Sequence, residues 1–208
     1  MNRSTACRVQ TSMIKASALA LFLAGSPVQA TAVKDAEAAS HGDTAATQTF
    51  VKSYEFPGVK IMQYNLAVLS HYSYFVVSGT EALLVDPDRD IQVYLDTAKK
   101  EGWAIKGVFL THSHADFVAG HSELVKACGC PVYQHKESGA HYAITALSDQ
   151  QTLPWGEASL QFLTTPGHTP DGMSALVFDK ANKTKPCAIL SGDTLFVGSI
   201  GRPDLMGG

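Results

Sequence analysis

Three short apolar stretches in this 208-residue chain each run into a tight turn that ends on a potential metal ligand. Val108-Phe109-Leu110 leads into Thr111-His112-Ser113-His114-Ala115-Asp116. Leu160 to Leu163 leads to Thr165-Pro166-Gly167-His168, and Cys187 to Leu190 leads to Ser191-Gly192-Asp193. A donor placed just past the end of a buried strand inherits a fixed direction, which a ligand set requires. His112 and His114 are two residues apart, so in extended backbone they can face the same way. Imidazole and carboxylate both suit zinc and iron. A single His or an Asp after Gly is more often structural, but three strand ends presenting such groups point to one convergent metal site.

The rest of the chain must supply sheets that bring those ends together. Val59 to Tyr64, Leu66 to Ser70, Tyr74 to Val77 and Ala82 to Val85 read as a strand meander, with a hairpin turn at Ser78-Gly79-Thr80. Asp90 to Glu101 places Ile91, Tyr94, Leu95 and Ala98 on one face, which predicts an amphipathic helix. Ile105 to Leu110 reads as a buried strand. A second helix is expected over Phe117 to Ala127, with Val118, Leu124 and Val125 inward. Pro131 to Tyr133 and Ser174 to Phe178 complete the strands. A meander followed by alternating strands and helices predicts one layered α/β domain over residues 49–208, with helices covering the sheets.

The amino terminus is of another kind. Arg3, Arg8 and Lys15 precede an uncharged apolar run, Ala16 to Gly25, and Val28-Gln29-Ala30 has the small-x-small pattern of a cleavage point. Residues 1–30 therefore read as a secretory signal peptide, and the mature chain as secreted or periplasmic. The run is short against the roughly 20 residues needed to span a bilayer. Residues 31–48, rich in Ala and Thr, read as a flexible leader. Removing three cations and no acid makes the remainder more acidic than the whole chain's −3. With no basic run left, neither nucleic acid nor an anionic membrane is an expected partner, and a small-molecule substrate is. Cys7 leaves with the signal; Cys128 and Cys130 are too close for an unstrained bond and read as free thiols at a helix end, and Cys187 stands apart.

Thr111 to Asp116, Pro166 to Thr169 and Gly192-Asp193-Thr194 resemble the signature of the metallo-β-lactamase superfamily. The resemblance runs from about Phe50 to the last residue. It implies a four-layer αβ/βα sandwich with the metal at one edge of two sheets. It implies metal ligation by His112, His114, His168 and Asp193, with Asp86 supporting the metal loop. Superfamily domains continue past the point where this chain stops, so the domain reads as truncated at its carboxyl end. Many hydrolytic members carry a His directly after the motif aspartate, as a ligand to a second zinc. Phe117 stands there, which favours one metal over two.

His114 to His121 and Gly192 to Gly198, followed by Gly201-Arg202-Pro203-Asp204, are similar to the persulfide dioxygenase subgroup. That similarity implies one Fe(II) on His112, His168 and Asp193, with His114 and Asp116 beside it orienting ligands or water, and Arg202 near the substrate. Pro170-Asp171-Gly172-Met173 departs from the shorter turn of many relatives. The expected activity is oxidation of a thiol persulfide by O2; the alternative is Zn(II)-dependent hydrolysis of a thioester or β-lactam. Arg202 could hold a substrate carboxylate or pair with Asp204. His121 is expected to open a helix in a structural role and His71 to pack beside Tyr72 and Tyr74. His135 and His141 could border the pocket, and His41 is inert in the leader.

Overall fold

The computed structural model describes residues 19–20, 49–66 and 69–203. Strands β1 (Leu19–Ala20), β2 (Thr49–Phe56), β3 (Val59–Leu66), β4 (His71–Ser78) and β5 (Glu81–Val85) are followed by helix α1 (Gln92–Glu101) and strand β6 (Ala104–Phe109). Helix α2 (His121–Cys128) precedes β7 (Val132–His135), β8 (Thr145–Leu147), β9 (Thr152–Trp155), β10 (Ala158–Thr164), β11 (Met173–Phe178) and β12 (Ala188–Leu190). A 3-10 turn at Gly192–Thr194 and a small hairpin, β13 (Leu195–Phe196) with β14 (Ser199–Ile200), close the order. The leader, and the signal-peptide reading apart from Leu19–Ala20, lie outside the described residues. Those two residues pair antiparallel with β12.

Beside the two-stranded β13–β14 hairpin stand two larger sheets, one seven-stranded in the order β2-β3-β4-β5-β6-β7-β8 and one five-stranded in the order β1-β12-β11-β10-β9. The first is antiparallel from β2 to β5 and parallel from β5 to β8. Helices α1 and α2 make the crossovers from β5 to β6 and from β6 to β7, and residues 136–144 make the one from β7 to β8 without a helix. Period-2 alternation sorts the side chains of the large sheet onto two faces. Ile61, Val76, Leu83, Val85 and Phe109 meet Leu160, Phe162, Met173 and Val177 of the smaller sheet in one core. Phe75, Ala82, Leu84, Val108 and Leu110 face the other way, onto Tyr94 and Ala98 of α1 and Leu124 of α2. The architecture is an α/β sandwich of two face-to-face sheets with helices on the outside of the larger. No helix covers the smaller sheet among the described residues.

Three local expectations are corrected. The strand expected at Leu66 to Ser70 is the end of β3 and a turn: Leu69 is exposed and Ser70 adopts φ 51°. The second helix starts at His121, not Phe117. The backbone before it is tied to the Asp86 loop instead, with Ala119 bridged to Asp88 and Gly120 N–H donating to the Pro87 carbonyl at 2.8 Å. Val118 and Val125 therefore do not point inward; Val118 is 61% exposed and Val125 39%. Cys128, Cys130 and Cys187 are free thiols, Cys128 closing α2 as expected. Among the described residues no helix is long and apolar enough to cross a membrane.

Candidate metal centre

The carboxyl ends of β6, β10 and β12 converge. Across the two sheets, Met173 N–H donates to the Thr111 carbonyl at 2.7 Å, joining the start of β11 to the exit of β6. Gly192 sits at φ 50°, a left-handed conformation costly for other residues, and a Cβ there would collide with the Thr111 side chain. Gly201 is pressed against the Asp193 backbone, and its Cβ would crowd the His168 side chain. The Thr165 hydroxyl bonds to those of Ser174 and Thr194, at 3.0 and 3.1 Å, binding the His168 loop to the Asp193 turn.

These contacts bring together His112, His168 and Asp193, whose potential ligand atoms all lie within 4.8 Å of one another. His168 Nε2 stands 3.5 Å from Asp193 Oδ2, long for a hydrogen bond, and His168 Nδ1 is buried without a partner. Two donors about 2.1 Å from one ion at a right or tetrahedral angle stand roughly 3.0–3.4 Å apart, so that pair has the spacing of ligands around a cation. Two imidazoles and one carboxylate fit either zinc or iron.

The buried Asp86 carboxylate organises the histidines. Its Oδ1 accepts from Thr111 N–H at 2.8 Å and from His114 Nε2 at 3.0 Å, while its Oδ2 accepts from the Thr111 hydroxyl at 2.8 Å. That hydroxyl has a single proton, so toward His112 Nδ1, 2.9 Å away, it can only accept. His112 is thereby held with its proton on Nδ1 and its Nε2 lone pair free for a metal. In the neutral His114 ring, the bond to Asp86 leaves Nδ1 as the free lone pair. His71 Nε2 donates to the Asp86 backbone carbonyl at 2.8 Å, bracing a residue that itself sits at φ 46°.

Charge follows the same arrangement. Burial pushes the Asp86 carboxyl up, but the facing His114, His112 and His71 outweigh it and hold it at about 2. Burial, reinforced by the neighbouring His114 and His168, lowers His112 to about 4, against the pull of Asp86 and Asp193. At neutral pH the buried ring is uncharged, the form that binds a metal.

His114 lies beside His112, with ring centroids 4.0 Å apart, but its Nε2 is turned onto Asp86, and it is not part of the three-residue group. Phe117 is wedged between His71 and His114, at centroid distances of 3.9 and 4.3 Å. Asp116 is exposed on the same loop and Arg202 is exposed beyond the β13–β14 hairpin; Asp204 lies outside the described residues. His121 opens α2 and stacks on Tyr142 at 4.4 Å. His135 is buried and 3.3 Å from the Thr164 hydroxyl, away from the metal group. His141 lines a cavity that borders His112 and His114.

A polar chain escaped the sequence reading. Tyr142 Oη donates to Gln134 Oε1 at 2.7 Å, Gln134 Nε2 to Ser113 Oγ at 3.3 Å, and Ser113 Oγ to the buried Asp171 carboxylate at 2.6 Å. It spans the His112 and His168 loops. Its only signal in the sequence was the unusual Pro170-Asp171-Gly172 turn.

Among curated relatives, the probable metallo-hydrolase YqgX of Bacillus subtilis is 29% identical over 156 residues, covering 65% of this chain and 71% of that protein. A metallo-beta-lactamase structure from Staphylococcus aureus superposes with a TM-score of 0.64 at 32% identity, covering 72% of this chain and 47% of that one. The structure of ETHE1 from Myxococcus xanthus superposes with a TM-score of 0.62 at 26% identity, covering 70% and 62%. The chain thus spans less than two thirds of both solved structures. Matched by the model of that family over residues 66–208, the chain belongs to the metallo-beta-lactamase superfamily.

Proposed function

We propose that this chain is an exported mononuclear metalloenzyme that oxidises a thiol persulfide with O2 to sulfite and thiol. The observation that carries the reading is the donor set. His112, His168 and Asp193 form one group of three, while the position where many relatives have a further histidine holds Phe117, which cannot ligate. Two imidazoles and a carboxylate would hold one ion and would leave it able to take substrate and O2. The similarity of His114 to His121 and of Gly192 to Gly198 to persulfide dioxygenases, and the likeness to ETHE1, point the same way.

The balanced reaction takes R–S–SH, O2 and H2O to R–SH and sulfurous acid. The sulfur–sulfur bond breaks, the outer sulfur is oxidised and O2 is reduced. A bound Fe(II) would supply the electrons that activate O2. The protein's part is to hold the donors and manage protons. Asp86 and Thr111 keep His112 Nε2 unprotonated, and Asp116 orients water from the exposed side.

The test is elemental analysis of protein purified anaerobically, followed by O2 uptake with a persulfide. About one iron per chain and sulfite formation that disappears in His168→Ala are expected. Sulfite formation unchanged by His168→Ala would overturn the reading.

A second reading is Zn(II)-dependent hydrolysis of a thioester or β-lactam. The likeness to YqgX and to the S. aureus metallo-beta-lactamase favours it, and the donor set accepts zinc equally well. One or two zincs per chain, with hydrolysis and no O2 uptake, would select it.

A further inference from the structure

Beside the donor group lies a cavity of ≈ 460 Å³, bounded on one side by His112 and His114. That size falls within the range of small-molecule sites. The space among Thr111, His168 and Asp193 themselves is too tight for an organic group. One wall is apolar: Leu110, Phe117, Val118, Ala119 and Ala140. Phe117 is fixed there by its stacking between His71 and His114, and Val118, turned out of the core, stands at the rim. The rest of the lining is polar and includes Ser113, Gln134, Tyr142 and the imidazoles of His121 and His141.

Among the described residues, none that lines this cavity is Lys, Arg, Asp or Glu. Of its imidazoles, His114 is hydrogen-bonded to Asp86 and His121 is stacked on Tyr142. Asp171 stands behind Ser113, and Asp116 is exposed on the loop that carries Phe117. A carboxylate on an organic group seated in this space, away from the metal, would lose water and find no Lys or Arg among the described lining residues. An alkyl or aryl group would gain by burial against Phe117 and Val118.

We propose that this cavity is the subsite for the organic group of the substrate and that it selects an uncharged alkyl or aryl thiol, with Tyr142 as its polar contact, over thiols carrying carboxylates in that group. The proposal rests on the reading of the centre as one that binds a sulfur substrate, and it names the class of thiol. It also gives Phe117 a role: the residue that replaces a ligand becomes the floor of the apolar wall.

The test is equilibrium binding, measured by calorimetry on the metal-loaded full chain, with benzyl mercaptan, 3-mercaptopropionate and glutathione as probes. Benzyl mercaptan is expected to bind at least about tenfold more tightly than either acid. Ala140→Leu, which fills the space, is expected to weaken benzyl mercaptan roughly tenfold at unchanged metal content. Val118→Lys, at an exposed position, is expected to shift the preference toward 3-mercaptopropionate. Equal binding of all three probes, or a preference unmoved by Val118→Lys, overturns the proposal. Because no turnover is read, loss of dioxygenase activity with this binding pattern intact would remove the reaction and leave the subsite. Sulfite formation with no thiol preference would do the reverse.

Discussion

At the scale of the residue, one hydroxyl decides what a histidine can do. Thr111 gives its proton to Asp86 and accepts from His112, so the carboxylate dictates through it which imidazole nitrogen is free. Replacing Thr111 by valine keeps the shape and removes the relay. The expected result is a metal affinity 10- to 100-fold weaker, read by titration against a competing chelator. An unchanged affinity would show that the His112 tautomer is set elsewhere. The sequence marked His112, His114, His168 and Asp193 because local pattern places them at strand ends. It could not show that His114 Nε2 turns to Asp86, since that depends on a carboxylate 28 residues away. Nor could it show Ser113 reaching Asp171, 58 residues on.

At the scale of the element, the site depends on how strand exits are held together. β6, β10 and β12 end in loops that touch through Thr111, Thr165 and Gly192. Gly192→Ala would force a side chain into a left-handed backbone and onto Thr111. A loss of about 1–3 kcal/mol of stability is expected, with metal binding weakened in step, measured by urea unfolding and metal titration. Stability within a few tenths of a kcal/mol of the parent would mean that the two exits move independently. Strands such as Ala82 to Val85 and Ser174 to Phe178 were legible as short apolar runs, because both of their faces are buried. The start of α2 was not. Phe117 and Val118 look like helix positions, but the backbone from Ala119 to Gly120 bonds to Asp88 and Pro87, and that pairing wins over local periodicity.

At the scale of the whole molecule, the buried titratable groups make the metal-free fold sensitive to acid. His112 falls from the usual 6.5 to about 4, so between those values the unfolded chain takes up a proton that the folded chain refuses. Its contribution is complete above about pH 6.5 and declines as pH falls toward 4. Asp86, lowered from 3.8 to about 2, contributes fully above 3.8 and loses that as pH falls through 2. Both act in the same direction. The urea midpoint of metal-stripped protein should therefore drop progressively from pH 7 to pH 4; a flat midpoint across that interval would contradict the buried, neutral state of His112.

The sequence by itself determined the donors, the strands that carry them, the amphipathic face of α1 and the superfamily, because each is written in residue type and short-range spacing. Only the tertiary structure decided which three donors meet and which nitrogen each ring offers. It alone set Phe117 between His71 and His114 and opened the cavity beside them. Those outcomes come from contacts between segments far apart in the chain, where close packing and the pairing of buried polar groups, rather than local preference, choose the arrangement.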